Sequence, residues 1–144
     1  MSGTNAHRNA CLKNLDEHLR AENDHHLDDI MATYGLNPVV NINGQLFEGM
    51  DKVRFFHDRF GFGGNGSFSE VHVIEKKRRT CEDSVVIEQE LNGLHTGVWQ
   101  KHEPTGKKFT IPVCTIYSFG PNGELSREDV YFDSLALLKQ LGLS

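Results

Sequence analysis

The chain has 144 residues and a formal net charge of -5, and this length suits one domain with a single core. The acidic balance argues against nucleic acid or an anionic membrane as the main partner, because a phosphate-binding surface needs clustered Lys and Arg. Three cysteines without close spacing indicate reduced thiols and a cytoplasmic location rather than a disulfide framework, and no apolar stretch is long enough to span a membrane.

The N-terminal part of the chain has the pattern of a helix that follows a polar tail. Residues 1–11 are predicted to be a disordered tail, and residues 12–144 to form one domain. From Leu12 to Tyr34, apolar residues recur at steps of three and four, which is typical of one helix face. Asn23 and His26 interrupt this stripe. Either both point into a polar part of a cavity, or the helix breaks near residues 22–24 and both turn to solvent.

The rest of the chain is predicted to be mostly strands. A short strand at residues 39–42 and a helix at 51–60 come first, and Gly93, Gly97 and Pro112 interrupt two of the later strands in a way that marks bulges or bends. The pattern therefore predicts an α+β fold in which N-terminal helices lie in the concavity of a strongly curved antiparallel sheet. The four long strands of its meander are expected at residues 68–77, 85–99, 109–119 and 125–133, before a short closing helix at 134–141.

Alternation along the strands places a few polar side chains on the more apolar face, which we expect to be concave. The last strand leaves two interpretations open. If Arg127, Asp129 and Tyr131 face inward, Asp129 with Tyr131 and His95 supplies a carboxylate, a phenol and an imidazole for proton transfer. If they face outward, Arg127 and Asp129 form an exposed pair at a second subunit. The predicted inner face of the two preceding strands carries Gln89, Leu91, His95, Trp99, Phe109, Val113 and Tyr117.

Two motif matches do not have the context that their function requires. Residues 61–66, GFGGNG, fit a dinucleotide-binding pattern, but they follow a helix and precede a strand, the reverse of the required order. His18, Glu22 and His26 are spaced four residues apart on one predicted helix, whereas carboxylate-bridged di-iron sites draw on four helices. We therefore expect neither a metal ion nor an organic cofactor.

Several short motifs in a fixed order resemble the SnoaL-like polyketide cyclase family of the nuclear transport factor two-like superfamily. They are His95-Thr96-Gly97, Pro104-Thr105-Gly106-Lys107, Tyr131-Phe132-Asp133 and the ending Leu137-Leu138-Lys139-Gln140-Leu141-Gly142. The resemblance implies a conical, cystatin-like α+β barrel around one deep hydrophobic pocket, commonly in a dimer packed through its sheets. It also implies ring closure by aldol chemistry without a cofactor, using an aspartate on the last strand with pocket histidines in support. Val130 stands at the position aligned with that aspartate, and Asp129 is adjacent.

Three functional interpretations follow. The first is a cyclase-type or isomerase-type enzyme that performs cofactor-free acid–base chemistry on a small hydrophobic carbonyl compound, with Asp129 and His95 as catalytic residues. The others are a non-catalytic protein that binds a hydrophobic metabolite and a dimeric interaction module of the same fold. The residues predicted to bind the small molecule are Asn23, His26, Tyr34, Gln89, Leu91, Trp99, Phe109, Val113, Tyr117 and Tyr131.

A homodimer is expected through the outer face of the sheet. Val86, Leu94, Val98 and Ile116 are apolar and point away from the predicted core, where an isolated monomer would expose them.

Overall fold

A long N-terminal helix and a six-stranded sheet dominate the fold in the computed structural model, which describes residues 5–143. None of the helices in this part of the chain is long and apolar enough to cross a membrane. In chain order the elements are α1 (Asn5–Asp24), α2 (Leu27–Met31), β1 (Tyr34–Ile42), β2 (Gln45–Glu48), α3 (Met50–Phe60), β3 (Phe68–Thr80), β4 (Ser84–His95), β5 (Lys108–Phe119), β6 (Leu125–Phe132) and α4 (Ser134–Gln140).

The sheet is mixed and open, with the strand order β2-β1-β6-β5-β4-β3. The predicted meander of β3 to β6 is confirmed, because each of these strands pairs antiparallel with the next. The expectation of a purely antiparallel barrel is wrong in two respects: β1 pairs parallel with β6, and β2 and β3 remain as free edges. The α+β class with N-terminal helices against the sheet is nevertheless the observed one.

Helix α1 begins earlier than the sequence pattern predicts and ends at a break. It starts at Asn5, so residues 5–11 are helical rather than a disordered tail, while residues 1–4 of that predicted tail lie outside the described part. The break falls at His25, which has a φ of 60°. The amides of His25 and His26 donate to the carbonyls of Glu22 and Ala21, at 3.2 and 3.0 Å. This is the pairing of a Schellman end, formed here without the usual glycine.

The two polar residues of the α1 stripe have different positions. His26 is turned to solvent, with 61% of its side chain exposed. Asn23 faces the sheet, where its Nδ2 donates to the Val73 carbonyl at 2.9 Å and its Oδ1 accepts from the Val73 amide at 2.8 Å. Asn23 therefore attaches α1 to the edge strand β3 instead of lining a cavity, and the prediction that Asn23 and His26 line the binding pocket is wrong.

The predicted curvature residues have another role. The pairing of β4 with β5 is continuous through Gly93 and Pro112, so neither marks a bulge. A Cβ on Gly93 would lie 2.6 Å from the Phe109 ring, and one on Gly97 would lie 2.2 Å from the Gly66 carbonyl oxygen. Both glycines thus permit close approach of neighbouring atoms. The edge strand β3 has register shifts at Ser69/His72 and at Glu75/Lys77, and further shifts lie at Tyr34/Val39 in β1 and at Ser118/Phe119 in β5.

Candidate active site

A cavity of about 540 Å³ lies between helix α3 and the inner face of the sheet. Most of its lining is apolar. Its polar lining residues Glu22, His57, Gln89, Thr115, Tyr117 and Glu128 are buried, whereas Gln45, Phe55, Arg59, Gln100 and Ser134 are exposed and mark the mouth. The apolar lining includes Val40, Ile42, Phe47, Phe56, Phe60, Phe62, Val73, Leu91, Trp99, Val113, Val130, Phe132 and Leu138. Such an apolar volume with a few convergent polar groups is typical of a small-molecule site.

His18, on α1, is fully buried and lies behind the polar end of the cavity, beside the lining residues Glu22 and Glu128. Its Nε2 lies 3.3 Å from Oε2 of Glu22 and 3.1 Å from Oε1 of Glu128. No hydrogen bond of good geometry reaches Nε2 within residues 5–143, so charge attraction is what holds these contacts. We call His18, Glu22, Tyr34, His57 and Glu128 the buried cluster.

The protonation of His18 follows from its other nitrogen. Nδ1 lies 2.8 Å from the Thr33 hydroxyl oxygen, and that hydroxyl donates its one proton to the Ile30 carbonyl at 2.7 Å. Thr33 can therefore only accept, and Nδ1 of His18 must carry a proton. A neutral ring would then direct the Nε2 lone pair at two carboxylates. A second proton on Nε2 removes this repulsion and makes His18 an imidazolium.

The pKa values agree with this assignment. Burial by itself would lower the pKa of His18, but the charges of Glu22 and Glu128 outweigh it and raise the pKa to about 10. Burial likewise would raise the pKa of Glu22, but His18 and His57 outweigh it and lower the pKa to about 2. At neutral pH the cluster thus contains a cationic His18 and an anionic Glu22.

Glu128 and His57 complete the buried cluster. Oε2 of Glu128 accepts a short hydrogen bond from the Tyr34 hydroxyl. Burial and the neighbouring Glu128 raise the pKa of Tyr34 well above its ordinary value, so the phenol keeps its proton. His57 donates from Nδ1 to the Val53 carbonyl at 2.8 Å, which leaves its Nε2 facing Oε2 of Glu22 at 3.6 Å.

A second polar group lies on β4 and β5. The Thr115 hydroxyl donates to Oε1 of Gln89 at 2.9 Å, and Nε2 of Gln89 donates to the Tyr117 hydroxyl oxygen at 2.8 Å. Burial, followed by the charge of Glu128, raises the pKa of Tyr117 well above its ordinary value. The Tyr117 hydroxyl is therefore protonated, and because its oxygen already accepts from Gln89, its own proton is available to a ligand in the cavity.

The same cluster offers donor atoms for a metal ion. One ligand atom each from His18, Glu22 and His57 lie within 4.8 Å of one another, a mixture of nitrogen and oxygen that suits transition metals. A proton on His18 can serve both carboxylates, because Nε2 lies 3.3 Å from Glu22 and 3.1 Å from Glu128. We therefore interpret the cluster as a proton site.

Six of the residues predicted to form the site contribute to it. Gln89, Leu91, Trp99, Val113 and Tyr117 line the cavity, and Tyr34 belongs to the buried cluster behind it. Phe109 does not reach the cavity, because it is buried in the core against the Phe68 ring.

Asp129 does not face the cavity. Glu128, Val130 and Phe132 line it, so Asp129 points to the opposite face of β6 by the alternation of a strand. There Arg127 donates from Nε to both Asp129 oxygens at 3.0 Å. The structure thus shows the outward-facing Arg127 and Asp129 pair of the second interpretation, with 42% of the Arg127 side chain and 15% of the Asp129 side chain exposed. Tyr131 shares this outer face and is 46% exposed, so it does not contact the cavity either. The predicted dimer through this face stays a prediction.

His95 is buried but lies outside the cavity. Its Nδ1 accepts from the Thr105 amide at 3.1 Å, and its ring packs on Phe68. It has the inward orientation that alternation predicts, but Phe68 and Phe109 fill the space at this end of β4. His95 therefore organises the turn to β5 and is not near the carboxylates.

The sequence pattern missed His57 and Glu128, and it gave His18 and Glu22 no role. A signal was present for three of them. His18 and Glu22 are four residues apart on one helix face, and Glu128 is two residues from Val130 and so shares its face. His57 had no such signal, since its position depends on how α3 packs.

The architecture is that of the nuclear transport factor two and ketosteroid isomerase-like fold, and the cavity described above lies between helices and sheet. A candidate SnoaL-like polyketide cyclase from Jannaschia sp. CCS1 is similar in structure, with a TM-score of 0.81, 17% identity and 94% of each chain covered. A ketosteroid isomerase-like protein from Catenulispora acidiphila DSM 44928 has a TM-score of 0.74 at 17% identity, covering 91% of this chain and 93% of that one. An LEH-like epoxide hydrolase from M. tuberculosis has a TM-score of 0.72 at 16% identity, covering 92% and 90%.

These identities establish the fold alone. No curated protein matches the sequence significantly. The sequence pattern of the family described as SnoaL-like polyketide cyclase, however, matches residues 49–141, which is more than half of the chain. The chain therefore belongs to the SnoaL-like polyketide cyclase family.

Proposed function

We propose that this protein is an enzyme of cyclase or isomerase type that moves a proton on a small hydrophobic carbonyl compound and needs no cofactor. One observation carries the proposal: the carboxylates of Glu22 and Glu128 are buried on either side of the same His18 nitrogen, at the polar end of an apolar cavity. Buried, convergent ionisable groups in a cleft are typical of acid–base catalysis. The family of the chain and the names of two structural relatives, a candidate cyclase and an epoxide hydrolase, support an enzymatic role.

Glu128 is the proposed base. It lines the cavity on β6, on the same face as Val130, whose position matches the last-strand aspartate expected from the family resemblance. Glu22 is less suited, because both His18 and His57 lie beside its Oε2 and lower its pKa to about 2, whereas His18 is the one histidine paired with Glu128 in residues 5–143. Two carboxylates and one imidazolium leave a net charge of -1 at the buried cluster.

Tyr117 is the proposed hydrogen-bond donor to the substrate oxygen. Its proton points away from the Gln89 donor, and it lines the cavity together with Glu128. A donor that is already oriented stabilises an oxyanion without reorganising during the reaction. Gln89 and Thr115 would act as positioning residues, since their hydrogen bonds fix the direction of the Tyr117 hydroxyl.

The reaction then has two steps. Glu128 removes a proton from the carbon next to the carbonyl group. The electron pair of that C–H bond forms the C=C bond of an enolate, and the π pair of the C=O bond moves to the oxygen, where Tyr117 donates a hydrogen bond. In an isomerase, Glu128 returns the proton to another carbon of the same conjugated system. In a cyclase, the enolate carbon attacks a second carbonyl of the same molecule, and the new alkoxide takes the proton from Glu128.

Exchange of carbon-bound protons tests the proposal without knowledge of the natural substrate. Cyclic ketones and diketones are incubated in D2O with and without the protein, and deuterium uptake next to the carbonyl is followed by mass spectrometry. We expect uptake above the buffer rate for at least one compound that also binds in the cavity. If compounds bind and raise the melting temperature but none exchanges faster than in buffer, the protein is a non-catalytic binding protein and the proposal is wrong.

A further inference from the structure

We propose that the substrate is an amphipathic anion, with a hydrophobic body inside the cavity and one carboxylate-like group bound by Arg59 at the mouth. The charges around the cavity favour such a molecule, and only the position of its reactive carbonyl group rests on the proposed function.

Arg59 is a cation at the mouth without an acidic partner. It lies on α3, lines the cavity and is exposed. Seven arginines lie in residues 5–143, and within this range Arg8 and Arg59 form no ion pair with Asp or Glu. Of these two, Arg59 lines the cavity. The five arginines that form ion pairs are Arg20, Arg54, Arg78, Arg79 and Arg127. In a chain with a net charge of -5, an unpaired guanidinium at a cavity mouth is free to bind an anionic ligand.

Phe55 holds the Arg59 side chain at this position. The Arg59 guanidinium carbon lies 5.6 Å from the centre of the Phe55 ring, which is a cation–π contact. Phe55 is itself 56% exposed and lines the cavity, so its ring can contact both Arg59 and a ligand at the mouth. Together the two residues present a flat apolar surface and a charged group to a molecule that enters the cavity.

The two ends of the cavity differ in charge, and this fixes the orientation of a bound anion. The inner end contains Glu22 and Glu128, which repel a negative group, and among the residues that line the described cavity no Lys or other Arg is present. An anionic substrate would therefore keep its charge beside Arg59 and insert its apolar body first. The opposite end of that body then lies against the buried cluster, where the carbonyl group reacts.

Two fluorescent probes with the same ring system test this orientation. 1-Anilinonaphthalene-8-sulfonate carries an anionic group, for which the sulfonate stands in for a carboxylate, and N-phenyl-1-naphthylamine is its neutral counterpart. We expect the wild-type protein to bind the sulfonate more tightly at low salt, and Arg59→Gln to weaken sulfonate binding by about tenfold while the neutral probe binds as before.

Arg54→Gln is the matched control, because Arg54 lies on the same helix and pairs with Asp28 at 2.6 Å instead of lining the cavity. It should change neither affinity. Equal affinity of Arg59→Gln and the wild type for the sulfonate would overturn the inference. So would the finding that the neutral naphthylamine does not displace the bound sulfonate. Retained selectivity for the sulfonate together with absent deuterium exchange would instead contradict the proposed function alone.

Discussion

Nε2 of His18 lies 3.1 Å from a carboxylate oxygen of Glu128, and this contact joins the first helix to the last strand of the sheet. The same nitrogen lies 3.3 Å from Glu22, so one imidazolium neutralises half of the charge that two buried carboxylates would otherwise place beside an apolar cavity. Removing one partner of such a buried set typically costs about 3–5 kcal/mol of stability, because the remaining charge is left uncompensated. The cluster is therefore a structural element as well as the proposed catalytic one.

The stability of the protein should depend on pH through this cluster. The pKa of His18 is raised in the folded state from 6.5 to about 10, so its contribution is fully present below pH 6.5 and is lost as the pH rises towards 10. The pKa of Glu22 is lowered from 4.5 to about 2, so its contribution is present above pH 4.5 and is lost as the pH falls towards 2. We expect the free energy of unfolding to be highest between pH 4.5 and pH 6.5, where both contributions are present.

Urea unfolding at a series of pH values measures this dependence. His26→Gln is the control, because His26 is exposed and should leave the alkaline decline unchanged. Constant stability of the wild-type protein from pH 6.5 to pH 9 would contradict the assignment of His18 as an imidazolium.

Removing metal ions should have no effect. A proton on Nε2 of His18 occupies one of the three donor atoms, so the protein treated with EDTA should keep both its melting temperature and its exchange activity. Elemental analysis of the purified protein checks this directly. One equivalent of zinc or iron per chain, with a lower melting temperature after chelation, would show that His18, Glu22 and His57 are metal ligands.

Tyr117→Phe should slow proton exchange by about 10²–10³-fold, the usual effect of removing one oxyanion donor. Affinity for the neutral naphthylamine probe should stay the same, because the ring and its packing are kept. Tyr131→Phe is the matched control, since Tyr131 lies on the outer face of β6. Equal exchange rates for Tyr117→Phe and the wild type would remove Tyr117 from the proposed mechanism.

The sheet could be predicted from the sequence because alternation in β3 to β6 is a local signal. The parallel pairing of β1 with β6 could not, since it depends on contacts between distant segments such as Val40 and Glu128. The exact position of the helix break at His25 could not be predicted either. A histidine occupies the left-handed position where a glycine normally marks a helix end.

The candidate site was predicted in its apolar part and missed in its charged part. Alternation identified Gln89 and Tyr117, since both lie on strands with a clear inner face. For β6 the prediction of the catalytic carboxylate depended on whether Asp129 or Val130 faces the cavity. Val130 does, and the carboxylate on the same face is Glu128. A one-residue error along a strand moves a side chain to the opposite face, which is why the catalytic prediction fell on Asp129, on the outer face.

Deuterium uptake by a ketone that binds the cavity, compared between the wild type, Glu128→Gln and Asp129→Asn, tests the central claim most directly. Glu128→Gln keeps the shape of the side chain but cannot accept the proton, so we expect exchange to fall by about 10²–10⁴-fold. Asp129→Asn should exchange at the wild-type rate, because Asp129 is bound to Arg127 on the outer face. Circular dichroism and binding of the neutral probe establish that Glu128→Gln is folded with an intact cavity. Wild-type exchange by a folded Glu128→Gln protein would contradict the account.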